Sequence, residues 1–192
     1  MPASRLACAA LLAAGVACAG SEAPLHGVVI DPPQEVPAIR IADAAGITFD
    51  LDGERGRRAA AVFFGYTHCP DICPATLADW ARAKRLLGAA ADGIRWVFVS
   101  IDPARDTPEI ARNYAEQFDS SFVGLAPTVA QLDSLKQNRG FAVTNETSPG
   151  MPGYSVAHPA GTFVVDRAGR IRLIYPPNTH PADMAADLRR IE

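Results

Sequence analysis

From Ala59 to Tyr66 the chain reads AAAVFFGY, a near-continuous apolar run. A short run without alternation predicts a strand covered on both faces. IRWVFVSI (Ile94–Ile101) predicts a second buried strand, and FVGLAP (Phe122–Pro127) a third. Between the first two the period turns helical: from Pro74 to Gly88, the residues Leu77, Trp80, Ala81, Lys84 and Leu87 track one side. Thr107-Pro108-Glu109 predicts the start of a helix reaching Phe118, with an N-cap, Pro at the first position and an acid in the first turn. TVAQLDSLKQNRG predicts another, stopped by Gly140. Alternation around a glycine in IRIADAAGITFDLDG (Ile39–Gly53) predicts an antiparallel hairpin. Arg167-Ala168-Gly169-Arg170 predicts the turn of a second hairpin, flanked by Thr162–Asp166 and Ile171–Tyr175, and Pro181–Ile191 a closing helix. Ser21–Pro37 is proline-rich and without period, which predicts a tether; Thr144–Gly153 predicts a loop. The order is an N-terminal β-hairpin, β-α-β-α-β-α, then a hairpin and a helix. That predicts an α/β sandwich with a central mixed sheet.

Composition narrows the class. With 192 residues, 48% hydrophobic and 20% charged, the chain is globular and sized for one domain. A net charge of −3 without a Lys/Arg block excludes a nucleic-acid surface. The first residues change the picture more. Arg5 precedes LACAALLAAGVACAG, an apolar run ending in small residues, which is the pattern of a secretory signal. Two cleavage readings fit. Ala17-Cys18-Ala19 suits ordinary cleavage before Gly20, giving a soluble periplasmic chain. GVAC instead resembles a bacterial lipobox, although Gly15 stands where Leu is usual, and makes Cys18 the lipid-bearing first residue of a membrane-tethered protein. The expected organisation is a signal over residues 1–19, a tether over 20–37 and one domain over 38–192.

Export leaves Cys69 and Cys73 as the cysteines of the domain, in FFGYTHCPDICPATL. In an oxidising compartment such a pair forms a disulfide unless it is held reduced or metal-bound. A βαβ unit with paired cysteines opening its first helix is a thioredoxin-like plan. Residues four apart on a helix lie ~5–6 Å apart, so the two thiols converge. Pro70 suits the helix start, and the helix N-terminus favours thiolate. Thiolate serves disulfide exchange and soft-metal ligation alike. The spacing is C-x-x-x-C rather than C-x-x-C, which still permits a disulfide and also widens the bite for a metal. Two thiolates suit Cu(I); Cu(II) or Zn(II) call for imidazole as well. Of the four histidines, His26 lies in the tether and reads as solvated, and His180 reads as a capping residue before Pro181. His68 abuts Cys69, where adjacent side chains diverge. His158 stands in YSVAHPAG, between an irregular loop and a strand.

FFGYTHCPDICPATL resembles the signature of the Sco/SenC family, thioredoxin-fold copper proteins that help assemble the dinuclear copper centre of cytochrome c oxidase. SIDPARDTPEIARNY (Ser100–Tyr114) and YSVAHPAGTFVVDRAGRIRLIY are similar to that family's second and third blocks, in order and with compatible spacing. The resemblance implies copper bound by Cys69, Cys73 and His158, and an acidic pair near it, Asp102 and Asp106. Asp106 could equally cap the helix that opens at Thr107. It also implies partners: the oxidase subunit carrying the dinuclear copper site and other periplasmic copper or thiol-redox proteins. The chain departs from the family where RGRRA (Arg55–Ala59) replaces a longer turn and where a cleavable signal replaces a transmembrane anchor. The rival expectation is a periplasmic thiol-disulfide oxidoreductase that uses Cys69 and Cys73 alone.

Overall fold

A computed structural model of the chain describes residues 23–36, 38–137 and 161–191. Its strands are β1 (Val28–Glu35), β2 (Arg40–Ala42), β3 (Thr48–Asp50), β4 (Ala59–Gly65), β5 (Ile94–Ser100), β6 (Val123–Leu125), β7 (Thr162–Val165) and β8 (Arg170–Tyr175). Its α-helices are α1 (Ile72–Leu87), α2 (Pro108–Glu116), α3 (Val129–Gln137) and α4 (Pro181–Ile191). Six strands form one mixed sheet in the order β1-β8-β7-β4-β5-β6, while β2 and β3 pair as a separate hairpin. β4, β5 and β6 run parallel; β7, β8 and β1 alternate antiparallel beyond β4.

All seven residues of β4 are buried, and the strand's alternation divides the core. Ala61 and Phe63, with Trp96 and Phe98 of β5, pack against α1, α2 and α4. Ala60, Val62 and Phe64, with Val97 and Val99, pack against α3 and the β2–β3 hairpin. A strand placed between two such layers has nowhere to put a polar side chain, which is why its sequence shows no period. The Trp80 and Trp96 rings meet at 5.4 Å with their planes tilted by 56°, Phe122 and Phe63 lie around them, and Trp80 Nε1 donates to Thr162 Oγ1 at 3.0 Å. Among the described residues no helix is long and apolar enough to cross a membrane.

Two expectations are corrected. Val28–Glu35, read as part of a tether, is an edge strand paired with β8. Its two prolines fall within the register shift between Val29 and Gln34, where missing N–H donors and broken pairing coincide. The His26 side chain is exposed, as expected, and the residue also donates from its backbone to Asp187 at 2.9 Å and meets the same carboxylate through Nδ1 at 3.0 Å. The cysteine helix begins at Ile72, so Pro70 precedes the N-cap Asp71 and does not open the helix. His180 does cap α4, its Nδ1 accepting from Ala182 N at 3.3 Å.

Candidate metal and thiol site

The C-terminal end of β4 runs into a turn in which Cys69 N donates to Tyr66 O at 3.2 Å. α1 then starts with an N-cap, Asp71, whose side chain makes no capping bond. First-turn N–H groups are thus left without an intrahelical acceptor. The Cys69 sulfur takes that role: Cys73 N donates to Cys69 Sγ at 3.4 Å, and the Asp71 backbone donates to the same atom. Cys69 lies before the helix, not on it, so the thiols meet through this capping geometry and not through i,i+4 spacing on a helical face.

Cys73 is fully buried and Cys69 half-buried, and both are free thiols. Under Cys73 lies Gly65, where a Cβ would stand 2.9 Å from Cys73 Sγ, 2.9 Å from Phe63 Cε1 and 3.0 Å from Phe98 Cε2. The glycine makes room for the sulfur. A glycine at the end of an apolar strand is the sequence signal for such a close approach, and reading the run only for its length passes over it.

The two thiols differ in kind. Donation from the Cys73 thiol, reinforced by the two backbone N–H groups and the Tyr66 hydroxyl against the cost of burial, pushes the Cys69 thiol down to about 5. The same bond, with burial added, pushes Cys73 far up. At neutral pH the pair is one thiolate and one thiol, the second proton lying between them. Tyr114, packed on Phe98 at 5.2 Å, is also raised, first by burial and then by the neighbouring sulfurs.

Asp102 and Asp106 are both buried. Asp106 does not cap α2; Thr107 does so itself, accepting from Ile110 N at 3.3 Å. Asp106 instead takes bonds from Thr67 N at 3.0 Å, Thr67 Oγ1 at 2.6 Å and Ser100 Oγ at 2.6 Å. It fastens the cysteine turn to the end of β5. Asp102 pairs with Arg105, whose guanidinium also lies 5.8 Å above the Tyr66 ring. Sequence reasoning passed over Thr67, Ser100 and Tyr66 because each has an unremarkable side chain until the strands pair.

His68 turns its Nδ1 to Thr67 Oγ1 at 3.1 Å and lies 3.7 Å from Asp106 Oδ1. Among the described residues no three metal-ligating side chains converge. His158, the Thr144–Gly153 segment and Cys18 lie outside the described residues.

The sequence model of the SCO1/SenC family matches residues 33–192. A SCO2-like protein of Rickettsia conorii is 29% identical over 150 residues, which is 78% of this chain and 73% of that protein. The solution structure of apo Sco1 from Thermus thermophilus superimposes with a TM-score of 0.78 at 32% identity, covering 90% of this chain and all of that one. ScoI of Bradyrhizobium japonicum, solved with copper bound, gives a TM-score of 0.71 at 30% identity over 82% of this chain and 99% of that one.

Proposed function

The chain belongs to the SCO1/SenC family, and on that premise we propose that it is an exported copper metallochaperone. It receives copper on Cys69, Cys73 and His158 and either delivers it to the dinuclear copper site of cytochrome c oxidase or keeps that site's cysteines reduced. The observation that carries the proposal is the pairing of a preformed Cys69 thiolate with the Cys73 thiol above Gly65. Two soft sulfurs so placed fit copper as cargo, and the copper-bound relative at 30% identity supports that choice.

Each residue then has a task. Cys69 meets the metal already ionised, held in that state by the helix N-terminus and its neighbour's proton. Cys73 must release its proton as the metal replaces it between the sulfurs, so uptake weakens as pH falls. Asp106 fixes the turn carrying Cys69. His158 supplies the nitrogen that Cu(II) requires and Cu(I) does not. The asymmetry of the thiols also supports a second reading, thiol-disulfide exchange with Cys69 attacking and Cys73 resolving.

Copper titration of the reduced protein and of its Cys69–Cys73 disulfide form, repeated on His158→Ala, tests both. The metallochaperone reading expects one copper per reduced chain, poor binding by the disulfide form, and loss of the thiolate-to-Cu(II) charge-transfer bands in His158→Ala with Cu(I) binding weakened but measurable. Equal copper binding by the oxidised and reduced forms would sink it. Wild-type Cu(II) spectra in His158→Ala would remove His158 from the ligand set, and copper-free exchange activity alone would leave the second reading.

A further inference from the structure

The pole of the molecule opposite the thiols gathers arginines that are scattered in sequence. β4 ends at the cysteine turn, and the antiparallel pairings place the β7–β8 turn and the start of β8 beside the beginning of β4. There Arg167, Arg170 and Arg172, with Arg190 from α4, line a hollow of about 530 Å³, together with Leu25 and one carboxylate, Asp166. Asp166 is already engaged, accepting from Arg170 N and Nη2 at 2.9 Å each, with Arg172 Nη1 at 3.6 Å. Beside the hollow, Gly56 N donates to Arg167 O at 2.8 Å, which brings the 55–58 turn alongside. Arg57 and Arg167 are exposed and have no carboxylate partner among the described residues. In a chain of net charge −3 this is a local cationic surface.

The same pole is where the N-terminal chain leaves the domain. Arg190 Nη1 donates to Ala23 O at 2.8 Å, and Leu25 lies within the arginine-lined hollow. Upstream stands the apolar run ending at Cys18. Ala23 lies five residue steps beyond Cys18, and an extended chain spans at most about 3.6 Å per step, so the connection reaches no farther than about 18 Å. A domain held that close presents its exit pole to the bilayer within about two Debye lengths at physiological salt.

We propose that this arginine pole docks on anionic phospholipid headgroups and so orients the molecule, with the thiols facing away from the membrane. The orientation rests on the lipobox reading that makes Cys18 a lipid anchor for the exported protein of the proposed function; the headgroup contact rests on the arginines alone. β4 separates the two poles by about 23 Å of strand, which holds Cys69 clear of the lipid surface. Each arginine at an anionic surface strengthens attachment about five-fold, so neutralising two should cost about 25-fold.

The test mixes the protein isolated from cells with vesicles of phosphatidylcholine, or of phosphatidylcholine with phosphatidylglycerol, at low and high salt. Flotation with the neutral vesicles reads the lipid anchor by itself. If the protein floats with both, the expected result is protection of Arg57 and Arg167 from phenylglyoxal on anionic vesicles only, relieved near 1 M salt, where the Debye length is about 3 Å. Cys69 alkylation should be equal on both. If it does not float with the neutral vesicles, the anchor reading fails and binding to the anionic vesicles measures the pole directly; binding to neither would overturn the proposal. Arg57→Gln/Arg167→Gln should then bind about 25-fold more weakly. Equal arginine reactivity on both vesicle types, unchanged binding in the double variant, or shielding of Cys69 in place of the arginines would overturn the proposal.

Discussion

Removing the Cys73 sulfur should raise the pKa of Cys69, because the Cys73 thiol is the largest influence holding it near 5. The size of the effect decides how to look for it. At pH 6 a thiol near 5 is about nine-tenths thiolate, whereas one near 9 is about a thousandth ionised, a gain of roughly 900-fold. Nucleophilicity falls with basicity at a slope of about 0.4–0.5, which over about four units returns roughly 40–100-fold. The net advantage at pH 6 is only about 10–20-fold, so the pH midpoint, not the absolute rate, carries the information. Alkylation of the reduced protein by iodoacetamide, followed by mass spectrometry from acid to alkaline pH, reads Cys69 alone because Cys73 is fully buried. The wild type should show a midpoint near 5. Cys73→Ala should move it up by about one unit or more, and Cys73→Ser, whose hydroxyl still donates, should restore most of the depression. The sign for stability follows from the same shift. A folded pKa below the unfolded one means that folding sheds a proton between about 5 and 9, so stability rises with pH across that window and is lost as pH falls through about 5. Four units would be about 5 kcal/mol if fully buried; screening of this half-exposed group leaves about 1–2 kcal/mol. A wild-type midpoint near 9 would refute the depressed thiolate outright, and a midpoint near 5 that Cys73→Ala leaves in place would refute the shared-proton account and assign the thiolate to the helix N-terminus.

Gly65→Ala inserts a methyl 2.9 Å from Cys73 Sγ and 2.9 Å from the Phe63 ring; urea unfolding should show a loss of about 1–3 kcal/mol, together with a raised Cys69 midpoint. Asp106→Asn turns an amide donor towards groups that all donate, Thr67 N, Thr67 Oγ1 and Ser100 Oγ; the expected cost is about 1–3 kcal/mol, with faster hydrogen exchange at the Thr67 amide and no change in β7 or β8. Asp187→Ala leaves the His26 and Gly27 N–H groups without their acceptor, which should cost about 2–4 kcal/mol and release the start of β1 to hydrogen exchange. His26 is raised first by its bond to Asp187, so its contribution is full below its ordinary value of 6.5 and is lost as pH rises through the higher folded value; the variant's stability should lack that alkaline decline.

What the sequence makes legible is local. β4 and β5 announce themselves because burial on both faces leaves long apolar runs, unbroken in β4 and interrupted only by Arg95 and Ser100 in β5, and α2 because Thr107, Pro108 and Glu109 are local stop-and-start chemistry. β1 is not legible, since its prolines argue against a strand and only a place at the sheet edge, with a register shift around them, makes them tolerable. The site divides the same way. The spacing of Cys69 and Cys73 indicates that two sulfurs meet, but not that one caps the helix carrying the other, because that depends on where α1 begins. Asp106 is the harder case. Its partners Thr67 and Ser100 are 39 and 6 positions away, and they come together only when β4 and β5 pair so that Gly65 faces Ser100. That pairing also sets Gly65 under the Cys73 sulfur, with Phe98 of β5 walling the same space. A one-residue slip of β5 would exchange its two buried faces, moving Trp96 and Phe98 away from α1 and Ser100 away from Asp106. The parallel register is therefore what converts a cysteine motif into a thiolate with a fixed neighbour, and the large aromatic residues that enforce the register do so from outside the motif.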